Sequence, residues 1–455
     1  MEKLKVAAPL DPAFAPIYRE MQAFAARAAK GPEIRIAVER NDGLVATHDM
    51  RILPEGEDDA LNLRMVERMV KSMLWVYGGF RVTIAGSKAV YEGVKEQYRE
   101  GGERAFDANF MAHVYEHAFE VCYAATPAEA PQRKDASAPI GRHLDGCRIG
   151  FDAGGSDRKV SAVINGESVY SEEVVWFPKT QSDPSYHFDG IVSAMKTAAS
   201  KMPRVDAIGV SSAGVYINNH TMSASLFLKV SPEDYEKYVK DIYIRAAKEI
   251  GDVPLTVCND GDVTALAGAM SLGEDGILGI AMGTSEAGGY VDMKGNITGW
   301  LNELAFVPCD LAPDAMVDEW SGDIGCGVKY FSQDAVIKLA PAAGIELDPA
   351  LSPAEKLKVV QGKMEQGDAG ARAIYETIGV YLGYTLAFYA MFYEINHVLL
   401  MGRVTSGEGG DLVLAKAQEV LRTEYPQLKM QVNLPDEKSR RVGQSVAAAS
   451  LPQIG

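Results

Sequence analysis

Gly150-Phe151-Asp152-Ala153-Gly154-Gly155-Ser156-Asp157-Arg158-Lys159 decides how this chain is read. The apolar residues Ile149 and Phe151 lead into it, and Val160-Ser161-Ala162-Val163-Ile164 leads away to a second turn at Asn165-Gly166. Two short strands around a Gly-rich bend predict a β-hairpin. Gly154 and Gly155 let backbone N–H groups approach an anion, and a turn of successive N–H groups makes an anion-binding nest. Ser156 adds a hydroxyl donor and Lys159 a cation for the same phosphates. Asp152, at the strand end, suits a water-coordinated Mg²⁺, a hard cation that prefers oxygen ligands. An ordinary Gly-rich turn would look the same in isolation; the downstream motifs favour the phosphate reading.

A buried strand over 205–212 ends in Ser211-Ser212, followed by Ala213-Gly214. Strand ends beside Gly turns are where α/β proteins place ligand contacts, which singles out Ser212 and Gly214. The segment 215–227 reads as a polar loop whose Asn218 and Asn219 suit a polyhydroxyl ligand or, equally, solvent. Leu255-Thr256-Val257-Cys258 is a strand feeding Asn259-Asp260-Gly261-Asp262, after which a small-residue helix begins. Asp260 is the best catalytic candidate: a carboxylate at a strand end and a helix N-terminus can take a proton from a hydroxyl. The competing role is helix capping, for which Asp262 is the stronger candidate. A second strand, 277–282, enters Gly283-Thr284-Ser285-Glu286-Ala287-Gly288-Gly289, again combining glycines with hydroxyls. This repetition suggests a duplicated fold whose lobes hold one phosphate chain. A third Gly-rich turn follows the strand at 395–401, in Gly402-Arg403-Val404-Thr405-Ser406-Gly407-Glu408-Gly409-Gly410.

At 455 residues the chain suggests two or three domains. Its 47% hydrophobic and 24% charged residues are those of an ordinary globular protein. A net charge of -17 argues against nucleic-acid and anionic-membrane partners. No apolar run approaches the roughly 20 residues of a membrane span, and no signal-peptide layout opens the chain. Five scattered cysteines without a Cys-x-x-Cys pair point to a reducing cytoplasm.

Residues 1–146 read as a small α+β domain. Strands flank Asn41-Asp42-Gly43, helices are expected over 60–77, 88–100 and 105–124, and 126–138 reads as a linker. His113 and His117 stand at i, i+4, but no third ligand accompanies them, so a satisfied pair is preferred to a metal site. A long apolar helix over 369–393 is expected to form the core of the second lobe.

In this order the motifs resemble the sugar kinases of the actin and hexokinase superfamily, and most of all the ROK family (repressor, open reading frame, kinase), over about residues 147–452. Asp152-Ala153-Gly154-Gly155-Ser156 is similar to the first phosphate motif, and Gly283-Thr284-Ser285 with Gly288-Gly289 to the second. Asn259-Asp260 is similar to the family's Glu-Asn-Asp segment, with Cys258 in place of Glu. The resemblance implies that Asp260 deprotonates the sugar hydroxyl, that Asn259 contacts sugar, and that Glu303 does so from the family's Gly-Glu-x-Gly-His motif. Met401-Gly402-Arg403-Val404 is similar to the adenosine-side Gly-Gly motif, with Arg403 as the second residue. Phe306 stands where the histidine of the Gly-Glu-x-Gly-His motif would be. The zinc-binding cysteine cluster is reduced to Cys326, with Cys309 nearby, so no zinc is expected.

The expected architecture is therefore α/β: a two-lobed, actin/hexokinase-like (ribonuclease H-like) fold with an extra N-terminal domain over 1–146. The first lobe spans 147–265 and the second 266–455, with a C-terminal helix returning to the first. The expected activity is ATP- and Mg²⁺-dependent phosphorylation of a hexose or hexose derivative by a homodimer. The alternative is a weak or inactive sugar-binding sensor or regulator of the same fold.

Overall fold

The Asn41-Asp42-Gly43 turn joins β1 (Glu33–Arg40) to β2 (Leu44–Arg51), and Asp42 and Gly43 both adopt positive φ, as a tight hairpin turn requires. β3 (Arg81–Ala85) pairs antiparallel with β1, and β4 (Glu120–Ala124) runs parallel to β3, giving the order β2-β1-β3-β4. The structure is a computed structural model that describes residues 3–135, 140–435 and 443–454. The last three residues of the expected linker, 136–138, lie outside them.

β4 corrects the sequence reading. The helix expected over 105–124 covers Ala105–Tyr115, ends where Glu116 turns left-handed at φ 56°, and gives way to the strand. Val121, Cys122 and Tyr123 have strand character, and the open edge of β3 gave them hydrogen-bond partners. His117 therefore leaves the helix and stacks on Phe80 at 4.1 Å, so the two histidines do not share a helix face.

The quoted stretch forms the expected hairpin. β5 (Cys147–Ala153) and β6 (Asp157–Ile164) are antiparallel, with Ala153 opposite Arg158, and β7 (Glu167–Val175) continues the meander. β8 (Ala207–Ser212) lies parallel to β5. β9 (Val215–Ile217) and β10 (His220–Ser223) form a small hairpin where a polar loop was expected, turning on Asn218 and Asn219, both at positive φ. β11 (Leu255–Asn259) lies parallel to β8, giving the order β11-β8-β5-β6-β7. The core on this sheet includes Phe151, Trp176, Ile191, Met195, Val210 and Tyr243.

The C-terminal helix Gln444–Ala449 packs on β5 and β8. A Cβ at Gly150 would overlap the Ser445 carbonyl, and one at Gly209 the Ala448 carbonyl. Helix and sheet thus meet backbone to backbone, which only glycine permits.

β12 (Ile277–Met282), β13 (Glu286–Val291), β14 (His397–Met401) and β15 (Gln431–Asn433) form a sheet in the order β13-β12-β14-β15. The long apolar helix, Ala369–Tyr389, packs against the helix Glu408–Glu424. Gly379 and Gly383, one turn apart, let the two approach closely: a Cβ at Gly379 would lie 2.7 Å from the Val413 carbonyl oxygen. The expected glycine-rich loop at 407–410 is largely the first turn of that second helix. Gly409 faces the Tyr375 ring and Gly410 the Thr405 carbonyl, so close packing accounts for both.

Contacts group the chain into two compact units. One comprises Met1–Ala136, Ile280–Gly288 and Trp300–Leu434; the other comprises Ser137–Gly279, Gly289–Gly299 and Pro435–Gly455. Among the described residues no helix is long and apolar enough to cross a membrane.

Candidate functional site

Parallel pairing sets the first cluster. Asp152, Ser211 and Cys258 align across β5, β8 and β11, and one residue further Ala153, Ser212 and Asn259 do the same. The carboxyl ends of three parallel strands thus present one row of small and polar residues, the usual place for ligands in an α/β sheet.

Asn259 ends β11 and caps the helix Asp260–Leu272: its Oδ1 accepts from the Gly261 N–H at 2.7 Å. Its Nδ2 donates to the Gly214 carbonyl at 2.8 Å. The cap is therefore Asn259 and not the expected Asp262, whose Oδ1 instead accepts from the Tyr290 N–H. With Asn259 as the cap, the Asp260 carboxylate occupies the first helical position, where its Oδ1 accepts from the Gly261 N–H at 3.0 Å. Burial raises its pKa; the backbone N–H of Gly261, and to a smaller extent the Lys179 charge, partly offset that effect.

Asp152 is buried, and its Oδ1 accepts from Ser211 Oγ at 2.8 Å. Burial pushes its pKa up to about 6, and the Asp260 charge adds to the rise. Gln444 donates to both Ser211 Oγ (2.9 Å) and the Asp260 carbonyl (3.1 Å), tying the C-terminal helix to this cluster. Ser212 Oγ accepts from Tyr216 (2.7 Å) and Tyr243 (2.8 Å).

In the turn after β5, the Gly154 carbonyl accepts from Trp176 Nε1, and Ser156 Oγ donates to Asp157 Oδ2 at 3.0 Å. A Cβ on Gly155 would lie 3.2 Å from Lys179 Nζ. Lys179 places a cation over the turn and influences Asp260; sequence reasoning missed it, because a lone lysine in Phe177-Pro178-Lys179-Thr180 matches no motif. Lys159, which was singled out, engages Asp157 (3.5 Å) and Glu173 (3.8 Å) and is 40% exposed. Asn219 Nδ2 donates to the Leu255 carbonyl and its Oδ1 accepts from the Val257 N–H, so this amide is committed to holding β11. Gly214 lies at φ 140°, where a Cβ would overlap the Ser223 carbonyl.

The other compact unit holds a second cluster. Gly283, Thr284 and Ser285 turn between β12 and β13. Arg403 Nη2 donates to Thr284 Oγ1 at 3.0 Å, and Gln361 holds the Arg403 carbonyl at 2.8 Å. Gly402, at φ 98°, sits where a Cβ would overlap the Met282 carbonyl. The turn, Gly402 and Arg403 therefore form one group, with a guanidinium beside a hydroxyl. Gly288 lies within β13 against the Asn302 carbonyl, in a packing role. Glu286 is 3% exposed; its Oε1 accepts from Tyr389 at 3.4 Å and its Oε2 has no partner among the described residues. Burial pushes its pKa up to about 8, and the neighbouring Glu303 charge contributes. The Glu303 N–H donates to the Trp75 carbonyl at 3.0 Å.

All five cysteines are free. Among the described residues no three His, Cys, Asp or Glu side chains are grouped to hold a metal.

No family model matches the sequence, and no curated protein matches it. Solved structures do match. The ROK hexokinase from Thermus thermophilus aligns with a TM-score of 0.51 and 17% identity, over 67% of this chain and 97% of its own. A ROK family glucokinase from Streptomyces griseus, solved with glucose and AMPPNP, aligns at 0.48 and 21% identity, over 68% of this chain and 100% of its own. A ROK family transcriptional regulator, a homologue of the E. coli MLC protein, aligns at 0.48 and 17% identity, over 68% of this chain and 78% of its own. Over 67% of its length this α/β chain has the fold of a ROK sugar kinase.

Proposed function

We propose that the chain transfers the γ-phosphoryl group of ATP to a hydroxyl of a hexose or hexose derivative, in a reducing cytoplasm that suits its free thiols. The observation that carries this reading is the Asp260 carboxylate. It stands at the first position of a helix that Asn259 caps, next to the carboxyl ends of β5, β8 and β11, with its pKa raised by burial.

Asp260 accepts the proton of the attacking sugar hydroxyl. The sugar oxygen forms the new bond to phosphorus as the bond from phosphorus to the ADP oxygen breaks. A raised pKa makes a carboxylate a stronger base toward the hydroxyl proton. Phosphoryl transfer asks little more of a protein than such a base and fixed charges around the phosphates. The turn Gly154-Gly155-Ser156 with Lys179 supplies donors and a cation, as do Gly283-Thr284-Ser285 with Arg403.

Asp152 fits Mg²⁺. It offers hard carboxylate oxygens, of which Oδ1 accepts from Ser211 Oγ while Oδ2 is not part of that bond. When bound, Mg²⁺ would neutralise charge on the phosphates. Ser211 orients the carboxylate toward that role. The likeness to a hexokinase fold raises the weight of this reading, and the site chemistry gives it residues.

The test is sugar-dependent ADP release with Mg·ATP across hexoses and N-acetylhexosamines. Asp260→Ala is expected to lower turnover by about 10³-fold or more while sugar still binds. Turnover retained in Asp260→Ala removes Asp260 from the role. Sugar binding without release in the wild type would favour the sensor.

A further inference from the structure

The sequence assigned no work to the N-terminal segment. We infer that its helix Asp59–Tyr77 is a positioning element for the loop 300–307, and that it sets where Glu303 is presented. The inference rests on the proposed role of Glu303 as a contact to sugar hydroxyls.

A helix leaves its last four carbonyls without intrahelical donors. Here Gly78, at φ 80°, stops the helix, and its N–H serves the Leu74 carbonyl at 2.8 Å. The Trp75 carbonyl accepts from the Glu303 N–H and the Val76 carbonyl from the Asn302 N–H, both at 3.0 Å. Arg40 Nη1 serves the Tyr77 carbonyl at 3.2 Å. Two of the four orphan acceptors are therefore satisfied by the backbone of a loop more than 200 residues away in sequence, one of them by Glu303 itself. Trp75 and Val76 are fully buried, so no water replaces those donors if the loop moves.

Side chains repeat the attachment. The Trp75 ring meets Phe306 at 4.2 Å and Tyr77 meets Trp300 at 4.7 Å, one on either side of Glu303. Asn302 is buried in a left-handed conformation (φ 53°) that tertiary contacts must hold, and its Oδ1 accepts from Tyr393 at 2.9 Å. Arg68 (2.9 Å) and Lys71 (2.7 Å) of the same helix, with Arg104 (3.0 Å), the residue that precedes the helix Ala105–Tyr115, bind the buried Asp323. Glu67 and Asp107 balance the remaining charge. Buried ion clusters of this kind fix geometry more than they add stability. The helix thus holds the loop around Glu303 through its C-terminal turn and Asp323 through its middle.

The test compares wild type, Phe306→Leu, Phe306→Tyr and Trp300→Leu, each also in a Glu303→Gln background. Two readouts are used: amide exchange at Asn302 and Glu303, and the sugar and ATP KM values. Phe306→Leu is expected to speed exchange of both amides by about tenfold or more. It should raise sugar KM by about tenfold with ATP KM unchanged, and by less than about twofold once Glu303 is Gln. Phe306→Tyr keeps the ring contact and should match wild type; Trp300→Leu repeats the result if Phe306→Leu does not fold. Unchanged amide exchange overturns the inference. So does faster exchange without a sugar KM effect, or a KM effect that persists in the Glu303→Gln background. A wild type that turns over no sugar would count against the proposed function, whereas amide exchange reports the brace independently.

Discussion

Glu286→Gln is expected to abolish a pH dependence of stability that the wild type carries. The Glu286 carboxyl is buried, one oxygen accepts from Tyr389, and the other has no partner among the described residues. Burial, first, and the Glu303 charge lift its pKa from an ordinary 4.5 to about 8, so it keeps its proton at neutral pH. The folded state then binds a proton that the unfolded state has released. Stability is fully present below pH 4.5 and falls as pH rises toward about 8. At 1.36 kcal/mol per tenfold change the loss has an upper bound of about 5 kcal/mol, and relaxation around the ionised group lowers the expected value to about 2–5 kcal/mol. Gln fills nearly the same space and does not titrate. The assay is urea unfolding of both proteins from pH 4 to 9, followed by amide exchange in the helix Ala369–Tyr389, which carries Tyr389. The difference between variant and wild type should change between the two pKa values and be flat on either side. Parallel curves for the two proteins would refute the reasoning.

Three other outcomes follow from the clusters. Asn259→Ala removes the cap on Gly261 and the bond to Gly214, and should cost about 1–2 kcal/mol, a melting shift of about 2–8 °C for its unit. Its turnover should fall as well, since the helix N-terminus carrying Asp260 loses its anchor. Asp152 protonates as pH falls through about 6, so the Mg²⁺ concentration for half-maximal rate should rise between pH 7 and 5; equal values at both pH would detach Asp152 from the metal. Arg403→Gln removes the guanidinium on Thr284 and should raise ATP KM by about tenfold with sugar KM unchanged; an effect on sugar alone would move Arg403 away from the phosphates.

Local pattern made much of this legible. The hairpin around Gly154-Gly155, the Asn41-Asp42-Gly43 turn, the apolar helix Ala369–Tyr389 and the strand before Asn259-Asp260 all carry their periodicity and turn chemistry in adjacent residues. Misreadings arose where a distant partner overruled the local signal. Glu120–Ala124 became a strand because β3 offered an open edge. Asn219 serves β11, Gly288 makes room for the Asn302 carbonyl, and Gly409 makes room for Tyr375. Asn259 took the cap that Asp262 was expected to hold, because β13 drew the Asp262 carboxylate to Tyr290.

The sequence by itself determined the elements whose signal is local, the hairpin around Gly154-Gly155, the Asn41-Asp42-Gly43 turn and the apolar helix among them, and it named Asp152 and Asp260. Backbone propensity, period and Gly or Asn turns act over a few residues. Only the tertiary structure decided which of the named residues are free to act. It alone showed Asn259 as the cap beside Asp260, Lys179 over the first turn, Arg403 on Thr284, and a helix from the N-terminal segment whose last carbonyls hold Glu303. Hydrogen-bond satisfaction and burial depend on residues hundreds of positions apart, and no local pattern in the chain records those meetings.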